Sequence, residues 1–404
     1  MNVEELVRDS LRELAAEQPS AGPGYADRVL AVRRRRRTRR LASVAAATAA
    51  VVGIAVAVPL LDGGKKEVRP ASVLNGRGTS AHPDQSPPRD LIAAGDVALA
   101  AYYTTQIVPQ RKDRGVSERT YWLLDQRTGR YEKDTRWSFV AVAPGMRTAA
   151  VLERNLPAQR IGLLDLATGE VERWIPVDHG VGGLAFSYDG RKLVATTYDE
   201  NPDLRIRQTG DEDAVPWVPQ FQRPSRSGFH VVDIASGTAS WTGVRSGRGT
   251  SPRQDFFLSR AGDLVYTPVP GPADGSQQFY DLDGNKVAAP ADERYLRTDV
   301  GARLSPDGSL AAGGLSKEVP DKSYSSIRDP RTGREITKVR GAELLAWVDE
   351  KRLIAQERTA GEGLYRPRLV LVTIGSDEVE WLSGPSAQKD DDLSYAWEPV
   401  LARR

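Results

Sequence analysis

Hydrophobic and polar positions along the chain fall into three regimes. In the first, Val3, Leu6, Val7, Leu11 and Leu14 recur at helical spacing behind Asn2, which caps the segment with Glu5 three residues on. Glu4, Glu5, Asp9, Glu13 and Glu17 give this predicted helix an acidic outer face, and Pro19 with Gly22-Pro23-Gly24 ends it. The second regime is Leu41–Leu61, an apolar run without a charge. At about 1.5 Å per residue it reaches about 31 Å as a helix, the thickness of a bilayer's hydrocarbon core. Residues 62–89 then lose all periodicity and are rich in Gly, Pro, Ser and charge, which predicts a spacer. From Asp90 to the end the third regime takes over: short stretches alternating apolar and polar with period two, as half-buried strands require.

Two turn signatures punctuate these strands in alternation. One leads into an apolar strand: Ala94-Gly95-Asp96, Pro144-Gly145, Ser187-Tyr188-Asp189-Gly190, Ser259-Arg260-Ala261-Gly262, Ser305-Pro306-Asp307-Gly308 and Val348-Asp349-Glu350. The other is a hairpin of the form Asp-x-x-[Thr/Ser]-Gly at Asp125–Gly129, Asp165–Gly169, Asp233–Gly237 and Asp329–Gly333, with weaker versions at Asp281–Gly284 and Ile374–Ser376. Glycine supplies the positive φ of such turns, and Asp or Ser bonds back to the local backbone. Each pair of turns joins four short strands at a period of about 40 to 50 residues, the signature of β-propeller blades. The expected fold is therefore all-β: a propeller of six blades, with seven as the alternative, preceded by one transmembrane helix and a short helical cytoplasmic tail. The domains are 1–40 tail, 41–61 span, 62–89 linker and 90–404 propeller.

Ser305-Pro306-Asp307-Gly308, an alternating strand and then Asp-x-x-Thr-Gly resemble the WD40-like repeats of the TolB and PD40 type across residues 91–401. No Gly-His opens a blade and no Trp-Asp closes one, so the hydrogen-bond network of eukaryotic WD40 arrays is not implied. In layout the chain is similar to membrane-anchored propeller proteins of actinobacterial type, a family without a defined activity. Because the first blade lacks a strand before Val97, the tail from Tyr395 to Leu401 is expected to cross back and close the ring, removing exposed edges. Trp122, Trp137, Trp174, Trp241, Trp347 and Trp381 fall in or beside repeat strands, and packing between blades is expected for most of them.

Charge fixes the orientation of the span. Seven arginines between Arg33 and Arg40 abut its N-terminal end, which places residues 1–40 in the cytoplasm and the propeller outside. Ala55-Val56-Ala57 has the spacing of a signal cleavage site and Thr38-Arg39-Arg40-Leu41 resembles a twin-arginine signal. A preceding segment of some forty residues with its own helical pattern favours a retained anchor, and cleavage is the alternative. Formal net charge is only +2, so the arginines are explained by topology and nucleic acid is not an expected partner. The acidic N-terminal helix is similar to those of membrane-bound regulators of the anti-sigma type, which implies a cytoplasmic partner for residues 1–17.

Composition narrows the chemistry. Without cysteine there are no disulfides, thiolate metal sites or thiol catalysis. His82, His179 and His230 are the only histidines and lie far apart in sequence, so a histidine-rich metal centre is not expected, nor is any cofactor. No Gly-x-Ser-x-Gly elbow, phosphate loop or dinucleotide fingerprint occurs. Ser386-Ala387-Gln388-Lys389 has Ser-x-x-Lys spacing without its companion motifs, and Asp199-Glu200 and Asp390-Asp391-Asp392 read as solvated acidic loops. The chain is therefore expected to be a non-enzymatic module that binds a protein or envelope glycan, the alternative being an enzyme of lyase, lactonase or glycosidase type with its site at the propeller's central channel.

Binding is expected on the face that carries the longer connections: 104–117, 199–228, 268–276, 316–322, 357–367 and the crossover 243–254. The stretched interval 199–228 is the leading candidate. Its Asp203, Arg205, Arg207, Trp217, Phe221, Arg223 and Arg226 mix aromatic anchors with guanidinium forks suited to a protein or anionic glycan.

Overall fold

The computed structural model describes residues 74, 76–207, 217–221, 224–247, 252–269, 275–319, 322–359, 366–386 and 397–404. The expected tail helix, the Leu41–Leu61 span and Arg223 lie outside the described residues. Among the described residues no helix is long and apolar enough to cross a membrane.

Antiparallel pairings sort the strands into six units of the propeller type. Blade 1 joins Glu398–Arg403, Val97–Arg111, Arg114–Asp125 and Arg130–Asp134. Blade 2 is Trp137–Val142, Thr148–Glu153, Ala158–Asp165 and the first half of Val171–Phe186, whose second half runs on as the innermost strand of blade 3. Lys192–Tyr198, Arg226–Asp233 and Ala239–Gly243 complete blade 3. Blade 4 is Phe257–Leu258, Val265–Pro268, Gln277–Tyr280 and Lys286–Val287. In blade 5 the innermost strand shrinks to a bridge between Leu304 and Ala311, followed by Ala311–Val319, Lys322–Arg328 and Glu335–Arg340. Blade 6 is Glu343–Trp347, Arg352–Thr359, Arg366–Thr373 and Val379–Trp381.

The chain end closes the ring, as the missing strand of blade 1 predicts. Ala402 pairs with Ala98, Leu401 with Leu99 and Pro399 with Tyr102. Val400 and Leu401 are both buried in the core cluster that holds Leu99, Ala101 and Leu382; as consecutive residues they point to opposite faces, so both faces of this closing strand are covered. Two copies of the strand-leading turn are built alike. Ser187 Oγ donates to Asp189 Oδ1 and accepts from Lys192 N, and Ser305 Oγ repeats this with Asp307 and Leu310 N. Gly308 holds φ at 76°, a value L-residues avoid, which is why glycine ends this turn.

Three local expectations change. Residues 80–85, read as the end of the spacer, are tied to the ring: Ser80 exchanges backbone hydrogen bonds with Ala93, His82 N donates to the Leu382 carbonyl, and Gly384 N to that of Gln85. The connections at 104–117 and 316–322 are extended hairpins rather than loops, because Val97–Arg111 and Ala311–Val319 keep pairing with their partners almost to the tip. Of the tryptophans, Trp137 and Trp347 are buried between strands, and half-buried Trp122 stacks on Tyr102 with centroids 5.2 Å apart. Trp241 is exposed and lies instead against the His179 ring.

Candidate functional site

Within the interval 199–228, the described strands Leu204–Arg207 and Trp217–Pro219 form an arm. Leu204–Arg207 adds to the blade 1 hairpin by pairing with Arg114–Val116, and Trp217–Pro219 adds outside it. An insertion in blade 3 thereby extends the sheet of blade 1. Along it, the exposed Arg207 guanidinium stands 4.8 Å from the Trp217 ring centroid, Phe221 is exposed, and Arg205 is half-buried with its guanidinium donating to the Leu204 carbonyl.

Asp203 and Arg226 depart from the expected binding role, because both are buried and fully engaged. Asp203 receives two donors from Arg119, at 2.7 and 3.2 Å, and two from Arg253, at 2.9 and 2.8 Å. Arg253 also donates to Asp255 and to the Gly182 carbonyl, and Tyr198 Oη donates to Asp255 at 2.7 Å. Two cations and two carboxylates thus neutralise one another among residues of blades 1, 3 and 4 and the arm. Burial opposes the Asp203 charge, but the Arg119 and Arg253 guanidiniums outweigh it and hold the carboxyl well below the usual range. A Cβ on residue 183 would collide with the Asp255 carboxylate, so glycine is required there. Arg226 donates to Thr267 Oγ1 and to the Gln254 and Val244 carbonyls while its guanidinium lies 4.3 Å from the Phe256 ring centroid. No local pattern announces this network, since the partners of Asp203 lie 84 and 50 residues away.

A cavity of about 290 Å³ lies on the ring axis, towards the tight-turn face. All six innermost strands line it, through Ala141, Leu184, Leu258, Leu304, Leu345 and Leu401 among others. Sequence reasoning favoured the opposite face, where the connections are longest. Its walls are apolar and its rim cationic. Arg260 and Arg403 both lie over Tyr188, at 4.2 and 3.8 Å, and Arg303 lies 4.1 Å from the Tyr266 ring centroid while pairing with Glu293 at 2.8 Å. Among the charged residues that line the cavity, three are guanidiniums and one is a carboxylate, and Arg260 and Arg403 also donate to the Ser305, Pro306 and Tyr188 carbonyls. The Ser187 and Ser259 hydroxyls beside it are held by Asp189 and Asp263.

Glu398 and Glu343 open the innermost strands of blades 1 and 6. Burial, and then the Glu343 carboxylate, push the Glu398 carboxyl up to about 8. A raised carboxyl pKa contributes stability fully below the unfolded-state value of about 4.3 and loses it as pH rises through the folded value. Glu398→Gln therefore raises stability by about 1–3 kcal/mol at pH 8.5 and changes it little at pH 4. Urea unfolding at the two pH values checks this; equal effects at both would remove the raised pKa. Among the described residues one group, Asp178, His179 and His230, brings three potential metal-ligand atoms within 4.8 Å of one another, and it does not line the cavity. Sequence spacing hid it, because His179 and His230 are 51 positions apart.

No protein-family model matches the chain, and no curated protein matches it. Solved structures that resemble it include TolB from Acinetobacter baumannii, 15% identical over 72% of this chain and 68% of that one, with a TM-score of 0.34. Pyrococcus horikoshii acylaminoacyl peptidase is 16% identical over 74% of this chain and 46% of that one, TM-score 0.39. Kuenenia stuttgartiensis hydrazine synthase is 14% identical over 60% of this chain, TM-score 0.33, and the chain spans 64% of its length. The propeller assignment rests on the strand pairings of the chain itself.

Proposed function

We propose that the chain is a membrane-tethered, non-enzymatic recognition module whose extracytoplasmic propeller takes an apolar, acid-flanked protein segment into its central cavity. The observation that carries this reading is the cavity's chemistry: apolar walls from six strands beneath a rim of Arg260, Arg303 and Arg403. Apolar walls favour side chains over a glycan, and guanidinium forks match carboxylates. The volume is near the small end of ligand pockets, about 300 Å³, which suits one or two residues of an inserted segment. Tethering is the role left to the predicted span and spacer; the cytoplasmic helix 1–17 would hold a second partner.

A photo-crosslinking residue placed at Ala346 is expected to capture one discrete protein in intact membranes, and Arg403→Glu to remove that band while the melting curve stays cooperative. The same probe at Phe221 samples the arm. Capture at Phe221 that Trp217→Ala and Arg207→Ala abolish, with none at Ala346, would move the site to the long-loop face.

The second reading, a propeller enzyme of glycosidase or lyase type, draws on Glu398: a carboxylic acid protonated near neutral pH beside a second carboxylate is the arrangement acid–base chemistry uses.

A further inference from the structure

Blade 3 carries an arrangement that the recognition role leaves unused. Asp178 and His179 lie where Val171–Phe186 passes from the outer edge of blade 2 to the inner edge of blade 3. His230 lies on Arg226–Asp233, directly opposite Trp241 of Ala239–Gly243. One ligand atom from each of Asp178, His179 and His230 falls within 4.8 Å of the other two. We propose that these three side chains form a binding site for a divalent transition-metal ion of the zinc class, with a further coordination position open to solvent.

Four observations support it. His230 is only 2% exposed, so its imidazole has little access to water. Its Nε2 meets only the His179 carbonyl at 3.4 Å and Asp178 Oδ1 at 3.6 Å, both beyond the usual range of about 2.7–3.2 Å. A metal about 2.0–2.1 Å from Nε2 would give this buried nitrogen the close partner that those long contacts do not.

Spacing is the second. Ligands about 2.0–2.1 Å from a tetrahedral ion are about 3.3 Å from each other. Asp178 Oδ1 lies 2.9 Å from His179 Nδ1 and 3.6 Å from His230 Nε2, each within a few tenths of an ångström of that spacing, and all three ligand atoms lie within 4.8 Å of one another.

Third, the rings are already oriented. His179 stacks on Trp241 at 3.6 Å with 2° between planes, and Trp241 Nε1 donates to Thr197 Oγ1 at 3.1 Å. Such outer contacts fix ligand orientation in metal sites. Fourth, Asp178 is 74% exposed, so an ion reaches the site from solvent and keeps a position for water. The donor set of two imidazoles and a carboxylate suits zinc, cobalt or nickel and not calcium or magnesium, which take oxygen ligands.

The test uses the full chain in detergent, without a polyhistidine tag, stripped by a chelator and titrated with Zn²⁺ by calorimetry and with Co²⁺ by visible absorption. Wild type is expected to bind one ion per chain and to show cobalt ligand-field bands. Asp178→Ala and His179→Ala should each weaken binding at least about tenfold and abolish those bands. Zn²⁺ should raise the melting temperature of wild type and of neither variant. His230→Ala is a third arm, and because the exposed Asp178→Ala leaves the core alone, the test stands even if His230→Ala unfolds. No saturable binding by wild type, or unaltered binding by Asp178→Ala and His179→Ala, would overturn the proposal. Failure of photo-capture at Ala346 bears on the recognition role alone.

Discussion

Removing Glu398–Arg404 costs the ring about 5 kcal/mol or more. Val400 and Leu401 are 4% and 3% exposed, and burying a side chain of this size stabilises by about 1.5–3 kcal/mol each. Losing the strand also bares the backbone of Val97–Tyr103, which pairs with it, as an unpaired apolar edge. Tyr102 loses its edge-on neighbour Trp397 if the truncation begins one residue earlier. The truncated chain should therefore melt far below wild type, or without a cooperative transition, and should aggregate on heating. Leu401→Ala is the milder version and is expected to cost about 2–5 kcal/mol. Chemical denaturation followed by tryptophan fluorescence measures both. A truncated chain with a wild-type transition would mean that the blades hold without their last strand.

Asp203→Ala is expected to cost about 3–5 kcal/mol, much more than an ordinary surface carboxylate. The substitution leaves Arg119 and Arg253 buried, cationic and without their shared partner, and Asp255 alone cannot balance both. Asp203→Asn keeps the shape and loses the charge, so it should be nearly as damaging. If the cost comes from stranded charge, Arg119→Met added to Asp203→Ala should recover part of the loss, because one uncompensated cation is then gone. Acid sensitivity follows from the same carboxylate. Its pKa is held below the usual range, so its contribution is present above about pH 4 and is lost as pH falls through the folded value. In Asp203→Ala the acid limb of the stability curve should flatten. A substitution that costs less than about 1 kcal/mol would show that the arm is not fixed by this network.

The arm and the cavity mark the limit of reading function from loop length. Long connections were the natural place for binding residues, and Arg207, Trp217 and Phe221 do lie along the arm at least partly open to solvent. Asp203 and Arg226, indistinguishable from them by residue type and position, are buried and hold the arm and blade 4 in place. Burial separates the two groups, and burial follows from which distant strand lies opposite. The residues that line the cavity were not legible in the sequence for a related reason. Its lining is contributed one or two residues at a time by six strands that are also ordinary alternating core.

By itself the sequence determined the repeat, and with it the blades. Period-two alternation and glycine-terminated turns are local constraints, imposed by backbone sterics and side chains a few residues apart, so they are written where they act. It determined ring closure as well, because a blade without a first strand and a chain end with a spare one leave a single way to pair them. Only the tertiary structure decided that Asp203 meets Arg119 and Arg253, that six strand ends enclose a cationic-rimmed cavity, and that His230 comes to Asp178 and His179. Those meetings depend on the angle between blades and the path of an insertion, which arise from the summed packing of many side chains and leave no periodic trace along the chain.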